Sequence, residues 1–232
     1  MQFIRSLLFS IFMMALIPPW VIIAIITLVL PVNLAMRIVS GWAWSVTWLL
    51  KVICGLKHEV IGIENIPDEP VIFACKHQSA WETIALQTII PPAAWILKRE
   101  LLWIPIFGWG LACIKPIAIN RGDKKAALAS VLEQGANAHA AGRHILVFPE
   151  GTRTAYGSSA KYKLGAARLA LKTGAKIVPI AHNAGKFWPK QSMMKKPGTI
   201  QVVIGEALTP ETDSLNEITE EIRNWIENAI IE

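Results

Sequence analysis

The sequence predicts an α/β fold, a mostly parallel sheet flanked by helices, preceded by an N-terminal membrane-embedded helical hairpin. Three observations carry this expectation. No charged residue lies between Arg5 and Arg37. After residue 57 short apolar runs alternate with stretches of helical periodicity, the pattern of strands joined by crossover helices. The chain of 232 residues is 53% hydrophobic and only 17% charged, so some apolar surface is expected to face lipid.

The charge-free tract comes first. At about 1.5 Å per residue, thirty apolar residues make roughly 45 Å of helix, against ~30 Å of hydrocarbon in a bilayer. "IPPW" (17–20) and "LPVN" (30–33) interrupt it, because proline kinks or ends helices. A second apolar stretch, 34–56, follows at once, so the two legs are expected to turn near Pro31–Asn33. Arg5 on one leg and Lys51 and Lys57 on the other put the open end in the cytoplasm by the positive-inside rule. Two readings stay open for Arg37 near the tip: it snorkels, or the hairpin enters one leaflet only. The tract is longer than a signal-peptide core and no small-residue cleavage site follows, so an anchor is expected rather than a cleaved leader.

The expected division is a hairpin over 1–57 and an α/β domain over 58–232. Strands are predicted at 58–63, 71–75, 93–97, 115–120, 144–148, 176–180 and 199–205. Helices are predicted at 124–142, 163–175 and 214–231. The last sets Leu215, Ile218, Ile222, Trp225, Ile226 and Ile230 on one stripe.

The formal net charge is +6, from 23 Lys and Arg against 17 Asp and Glu, which favours an anionic partner. Ten tryptophans beside two tyrosines lean towards a membrane surface, where indole settles. Segments 95–110 and 186–196 mix Trp or Phe with Lys and Arg, as interfacial segments do. Nucleic acid also selects basic residues among aromatics, but here they border long apolar runs, which argues against it. The three cysteines, Cys54, Cys75 and Cys113, have no CxxC spacing, so neither a disulfide framework nor a metal site is expected.

Three stretches are suited to chemistry. In "ACKHQSAWETIAL" (74–86), His77 ends a strand and Glu82 opens a helix. Residues five apart sit about 140° round one helix, so the pair meets only if the helix starts between them and His77 reaches back. "SAWE" supplies such a start, with Ser79 as N-cap and Glu82 at N3 of a capping box, which is also the non-catalytic account of Glu82. In "LVFPEGTRT" (146–154), Gly151 allows close backbone approach to a ligand and Arg153 offers a fork suited to phosphate. The competing account is a turn carrying a Glu150–Arg153 ion pair. In "KPIAINRGD" (115–123), Arg121 follows a strand, at the edge where open α/β sheets bind ligands. "KYKLGA" (161–166) adds Lys161 and Lys163 ahead of a helix whose N-terminus favours anions.

Taken in order, His77 with Glu82, then Ile119-x-Arg121, then Phe148-Pro149-Glu150-Gly151-Thr152-Arg153, then Val178-Pro179-Ile180 resemble the four blocks of the glycerolipid acyltransferases. Within them the match is to the lysophosphatidic acid (1-acyl-glycerol-3-phosphate) acyltransferases, over roughly residues 58–207. "KRELLWIPIFGWGL" (98–111) is similar to a segment these enzymes carry between the first two blocks. Glu82 stands where the family usually has aspartate, and Asn120 where many members have aspartate.

The resemblance implies acyl transfer from a thioester, acyl-CoA or acyl carrier protein, to the free hydroxyl of lysophosphatidic acid, with no metal or other cofactor. It implies His77 as general base and Glu82 as its orienting carboxylate. Arg121, Arg153 and Lys163 would bind the acceptor's phosphate, and Glu150, Gly151 and Thr152 would line the substrate. Two roles stay open for Glu150: accepting from a glycerol hydroxyl or orienting Arg153. No serine or cysteine need be acylated. The expected partners are lysophosphatidic acid, the thioester donor and membrane lipid, at the cytoplasmic face of an inner membrane. Two alternatives are the same chemistry on another lysolipid, such as a lyso-ornithine lipid, and a non-catalytic protein that binds anionic lipid.

Overall fold

The fold comes from a computed structural model that describes residues 1–120 and 122–229. Arg121 and the end of the predicted stripe at Ile230 lie outside the described residues. The first leg consists of α1 (Gln2–Ala15) and α2 (Ile17–Ile26), followed by a 3-10 turn over Thr27–Val29. Leu16 between them is right-handed helical, so the leg runs as one helix over Gln2–Val29. Pro18 and Pro19 therefore do not break it. They fall in the first turn of α2, where a missing N–H costs least, and the hydrogen bond from the Trp20 amide to the Leu16 carbonyl bridges the junction. The break comes at Leu30–Pro31, both extended. The second leg is α3 (Val32–Val39) and α4 (Gly41–Cys54). Gly41 is required by close approach, since a Cβ there would collide with the Trp20 ring of the first leg.

The hairpin has two unlike faces. Phe9, Ala43, Val46 and Leu50 are fully buried and join the same core as the sheet strands. Phe3, Ile4, Ile11, Phe12, Trp44 and Trp48 are exposed. Among the described residues, Gln2–Val29 is the one helix long and apolar enough to cross a membrane by length and composition. An exposed apolar face of this kind is compatible with membrane association.

One residue, Gly55, separates α4 from β1 (Leu56–Ile61). The chain continues through β2 (Ile72–Cys75), α5 (Trp81–Ile89), β3 (Ala93–Lys98), α6 (Phe107–Cys113), β4 (Ile117–Ile119), α7 (Lys124–Ala140), β5 (His144–Val147), α8 (Gly165–Thr173), β6 (Ile177–His182), α9 (Ala184–Phe187), β7 (Gly198–Ile204) and α10 (Leu215–Asn228). All seven predicted strands form, each within two residues of its expected bounds.

The strands make one sheet in the order β1-β7-β6-β2-β5-β3-β4. All pairs are parallel except β6–β7, so β1 and β7 run against the other five. The central strands are continuous apolar runs because helices cover both faces. One face packs on α4 and α5 around Phe73, Trp81 and Leu86. The other packs on α8 and α10 around Leu169, Ile218, Ile222 and Ile226, which confirms the predicted stripe within the described residues. Neighbouring β6, β2 and β5 all end at one edge, and their C-terminal loops meet there.

Candidate active site

His77 lies two residues past the end of β2, and its Nδ1 is 2.8 Å from Glu82 Oε1. A carboxylate only accepts, so Nδ1 carries the proton and Nε2 keeps its lone pair. The imidazole stacks on Phe148, from the end of β5, with ring centroids 4.0 Å apart and planes at 16°. Its orientation is thus fixed from two sides.

Glu82 serves helix start and histidine partner at once. Its Oε1 accepts from the amides of Gln78 (2.9 Å) and Ser79 (2.7 Å) as well as from His77. The helix begins one residue later than expected: Ala80 is the cap position, and Ser79 Oγ accepts from the Trp81 amide at 3.1 Å. Bending 77–79 over the first turn of α5 brings His77 back to Glu82, the geometry that a single continuous helix would forbid. Burial alone pushes the Glu82 carboxyl up, but the electrostatic pull of His182, the hydrogen bond and pull of His77 and the Ser79 amide outweigh it and hold the group below its ordinary value. Oε2 is buried and has no hydrogen-bond partner among the described residues.

His182, at the end of β6, was not singled out from sequence. It is fully buried, donates from Nε2 to the Lys76 carbonyl at 2.8 Å, and accepts at Nδ1 from the Ala184 amide at 3.2 Å. Both nitrogens are committed in the neutral form, and burial lowers its pKa. Its Nε2 lies 3.9 Å from Glu82 Oε2. The signal in the sequence was a histidine two residues past Val178-Pro179-Ile180.

The Phe148–Arg153 stretch closes on His77 through its backbone. Glu150 Oε2 accepts from the His77 amide at 2.6 Å, and Oε1 accepts from Thr154 Oγ1 at 2.9 Å. The Thr154 amide donates to the His77 carbonyl at 2.8 Å. Among the described residues Glu150 makes no ion pair with Arg153. Burial raises the Glu150 pKa to about 7.

Gly151 has φ +71, and a Cβ there would collide with the Lys163 amine, so glycine is needed both for the turn and for the lysine's place beside it. The Lys163 amide donates to the Pro149 carbonyl at 2.8 Å, which fixes the backbone from which its exposed side chain extends. Thr152 is exposed. Arg153 is half-buried, and its Nε is buried without a hydrogen-bond partner among the described residues. His77, Glu82, Glu150, Gly151, Thr152, Arg153 and Lys163 thus share one edge, and Asn120, just past the end of β4, is exposed.

Among the described residues no group of three or more His, Cys, Asp or Glu side chains is placed to hold a metal ion. A cavity of about 760 Å³ opens between the hairpin residues Met36 and Trp44 and the N-terminal ends of β3 and β5. Its lining does not include His77, Glu82, Arg153 or Lys163, which lie at the opposite edge.

The arrangement offers an oriented base, a buried counter-charge and cations a few residues away. It suits removal of a proton from a hydroxyl beside an anionic group.

Comparison with known proteins agrees. Residues 57–183 match the family model described as Acyltransferase. The chain is 41% identical over 236 aligned positions to a 1-acyl-sn-glycerol-3-phosphate acyltransferase of Pseudomonas aeruginosa, covering 100% of this chain and 92% of that one. It is 35% identical to a Chlamydomonas reinhardtii protein of the same name, over 68% of this chain and 48% of that one. The crystal structure of the LPA acyltransferase PlsC from Thermotoga maritima superposes with a TM-score of 0.80 at 23% identity, covering 98% of this chain and 95% of that one, a likeness of fold.

Proposed function

The chain belongs to the acyltransferase family, and we propose that it moves a fatty acyl group from an acyl thioester to the sn-2 hydroxyl of 1-acyl-sn-glycerol-3-phosphate, giving phosphatidic acid. The observation that carries this reading is the His77–Glu82 contact at 2.8 Å, which leaves Nε2 as a base at the sheet edge that also carries Arg153 and Lys163.

In this mechanism Nε2 takes the proton of the acceptor hydroxyl as its oxygen attacks the thioester carbonyl. Glu82 stabilises the imidazolium that forms. The tetrahedral oxyanion collapses, the C–S bond breaks, and His77 returns its proton to the leaving thiolate. The products are the ester and a free thiol, and no enzyme group is acylated. Arg153 and Lys163, joined by Arg121, hold the phosphate, with Gly151 and Thr152 lining it. No metal or other cofactor enters any step.

The donor is acyl-CoA or acyl carrier protein, which share the phosphopantetheine thioester. Such donors are cytosolic and the acceptor is a membrane lipid, so the site works at the cytoplasmic face of the inner membrane with the apolar face of the hairpin in lipid.

The test is purified protein with labelled oleoyl-CoA and, separately, an acyl carrier protein donor. The acceptors are lysophosphatidic acid, glycerol-3-phosphate, lysophosphatidylcholine and a lyso-ornithine lipid. Phosphatidic acid from lysophosphatidic acid alone, lost in His77→Ala, is expected. Transfer to another acceptor overturns the substrate. Binding without transfer overturns the reaction.

A further inference from the structure

We propose that Glu227, in the last turn of α10, is a positioning residue for this reaction. By holding Lys76 and Tyr162 it fixes their chain neighbours, His77 and Lys163, in one frame. The inference rests on the functional reading of His77 and Lys163 given above.

One oxygen makes the link. Glu227 Oε1 lies 2.6 Å from the Lys76 ammonium and accepts from the Tyr162 hydroxyl at 3.0 Å. Lys76 is 6% exposed and Tyr162 3% exposed. A buried ammonium without a counter-charge costs several kcal/mol, and Glu227 is the salt-bridge partner of Lys76 among the described residues. A glutamate in the last turn of a helix faces the negative end of the helix dipole, a cost that makes local helix stability a poor explanation for it. α10 also lies outside the 57–183 span of the family match, so this contact is made from beyond the blocks that carry the chemistry.

Lys76 is anchored at three points. Its amide donates to the Ile180 carbonyl at 3.0 Å, its carbonyl accepts from His182, and its amine ends on Glu227. His77 follows directly, with its own amide on Glu150. Lys76 and Glu227 act on the Glu150 carboxyl with opposite signs, the Glu227 charge opposing that of Lys76. Without the Glu227 charge, the Lys76 ammonium turns to Glu150 and competes with the His77 amide for that carboxylate. His77 then loses its backbone hold, although no catalytic side chain has changed.

The test compares Glu227→Gln with the Lys76→Met/Glu227→Gln double variant, using oleoyl-CoA and lysophosphatidic acid. In Glu227→Gln, kcat falls about tenfold to a hundredfold while donor KM stays within about twofold, as expected for a displaced base. Deleting the ammonium as well restores kcat to within about threefold of wild type, which loss of packing alone does not predict. In parallel, ¹³C-histidine NMR follows the His77 resonance, assigned by its loss in His77→Ala, and Glu227→Gln shifts it.

If wild type transfers nothing to lysophosphatidic acid, the functional reading fails while the NMR arm still judges the contact network. A wild-type kcat with an unmoved His77 resonance overturns the proposal. So does a loss that Lys76→Met does not relieve. Should Glu227→Gln not fold, Tyr162→Phe takes over, since it leaves the Lys76 pair intact. It raises acceptor KM about threefold with kcat unchanged, and no change in either overturns the Lys163 half.

Discussion

Replacing Glu82 by glutamine isolates the charge of the buried carboxylate from its architecture. The amide oxygen can occupy the Oε1 position and keep the hydrogen bonds from His77, Gln78 and Ser79. The amide nitrogen then takes the Oε2 position, which already lacks a partner, and an unmade buried hydrogen bond costs about 1–3 kcal/mol of stability. Alanine would instead strand three buried donors, so glutamine is the informative change.

The catalytic loss comes from the imidazolium. Attraction across 2.8 Å at an effective dielectric near 20 has an upper bound of about 6 kcal/mol, and a retained neutral hydrogen bond returns part of it. A net loss of about 3–5 kcal/mol corresponds to about 10²–10⁴ in kcat at about 1.4 kcal/mol per tenfold. The assay is steady-state transfer from oleoyl-CoA to lysophosphatidic acid, with a thermal melt of each variant. A folded Glu82→Gln enzyme within tenfold of wild type would refute the claim that this charge is used. Glu82→Asp is also expected to lose about tenfold or more, despite being the family's usual residue. From this first turn of α5 the shorter side chain draws the carboxylate about one bond length away from Nδ1.

Gly151→Ala forces a Cβ at φ +71 and into the Lys163 amine, so acceptor KM should rise about tenfold with a smaller change in kcat, checked by varying lysophosphatidic acid at saturating donor. Glu150 is an acid whose folded pKa, about 7, lies above its unfolded value. It binds more protons when folded, so it subtracts stability as pH rises from about 4.5 through 7. Glu150→Gln should remove that slope and gain about 2 kcal/mol on wild type between pH 5 and pH 8 in denaturant midpoints. Phe12→Ser with Trp48→Ser removes two half-exposed apolar side chains from the outer hairpin face. At about 1 kcal/mol each, vesicle partitioning measured by flotation should weaken about thirtyfold.

The strands were legible because each is a short apolar run cut off by polar or turn residues, and Ile72–Cys75 and Ile145–Val147, buried on both faces, leave no alternation to confuse with a helix. The reversal of β7 was not legible. Direction is set by how the 183–197 segment returns across the sheet, and no residue pattern encodes that path. At the site, His77 and Glu82 were paired through the family resemblance, whereas their spacing alone gave only the condition for meeting, that 77–79 bend back over the helix start. Capping and histidine pairing looked like alternatives, and Oε1 accepts from both the loop amides and the ring. Glu150 was read as facing a ligand or Arg153, while its contacts reach the backbone 73 residues earlier. His182 and Glu227 stayed hidden for a similar reason: a strand histidine looks like core, and an apolar stripe count on α10 passes over its glutamates.

The junction of α4, Gly55 and β1 has a mechanical consequence. Because the buried hairpin face shares its core with the central strands, hairpin and sheet pack as one body, joined through Gly55 alone. Whatever depth the outer apolar face adopts in lipid, His77 rides at a set height relative to it, as a stylus on a rigid arm. In the proposed reaction the distance between base and acceptor then depends on how lipid packs around the arm, and bilayer thickness and fluidity should act on its rate.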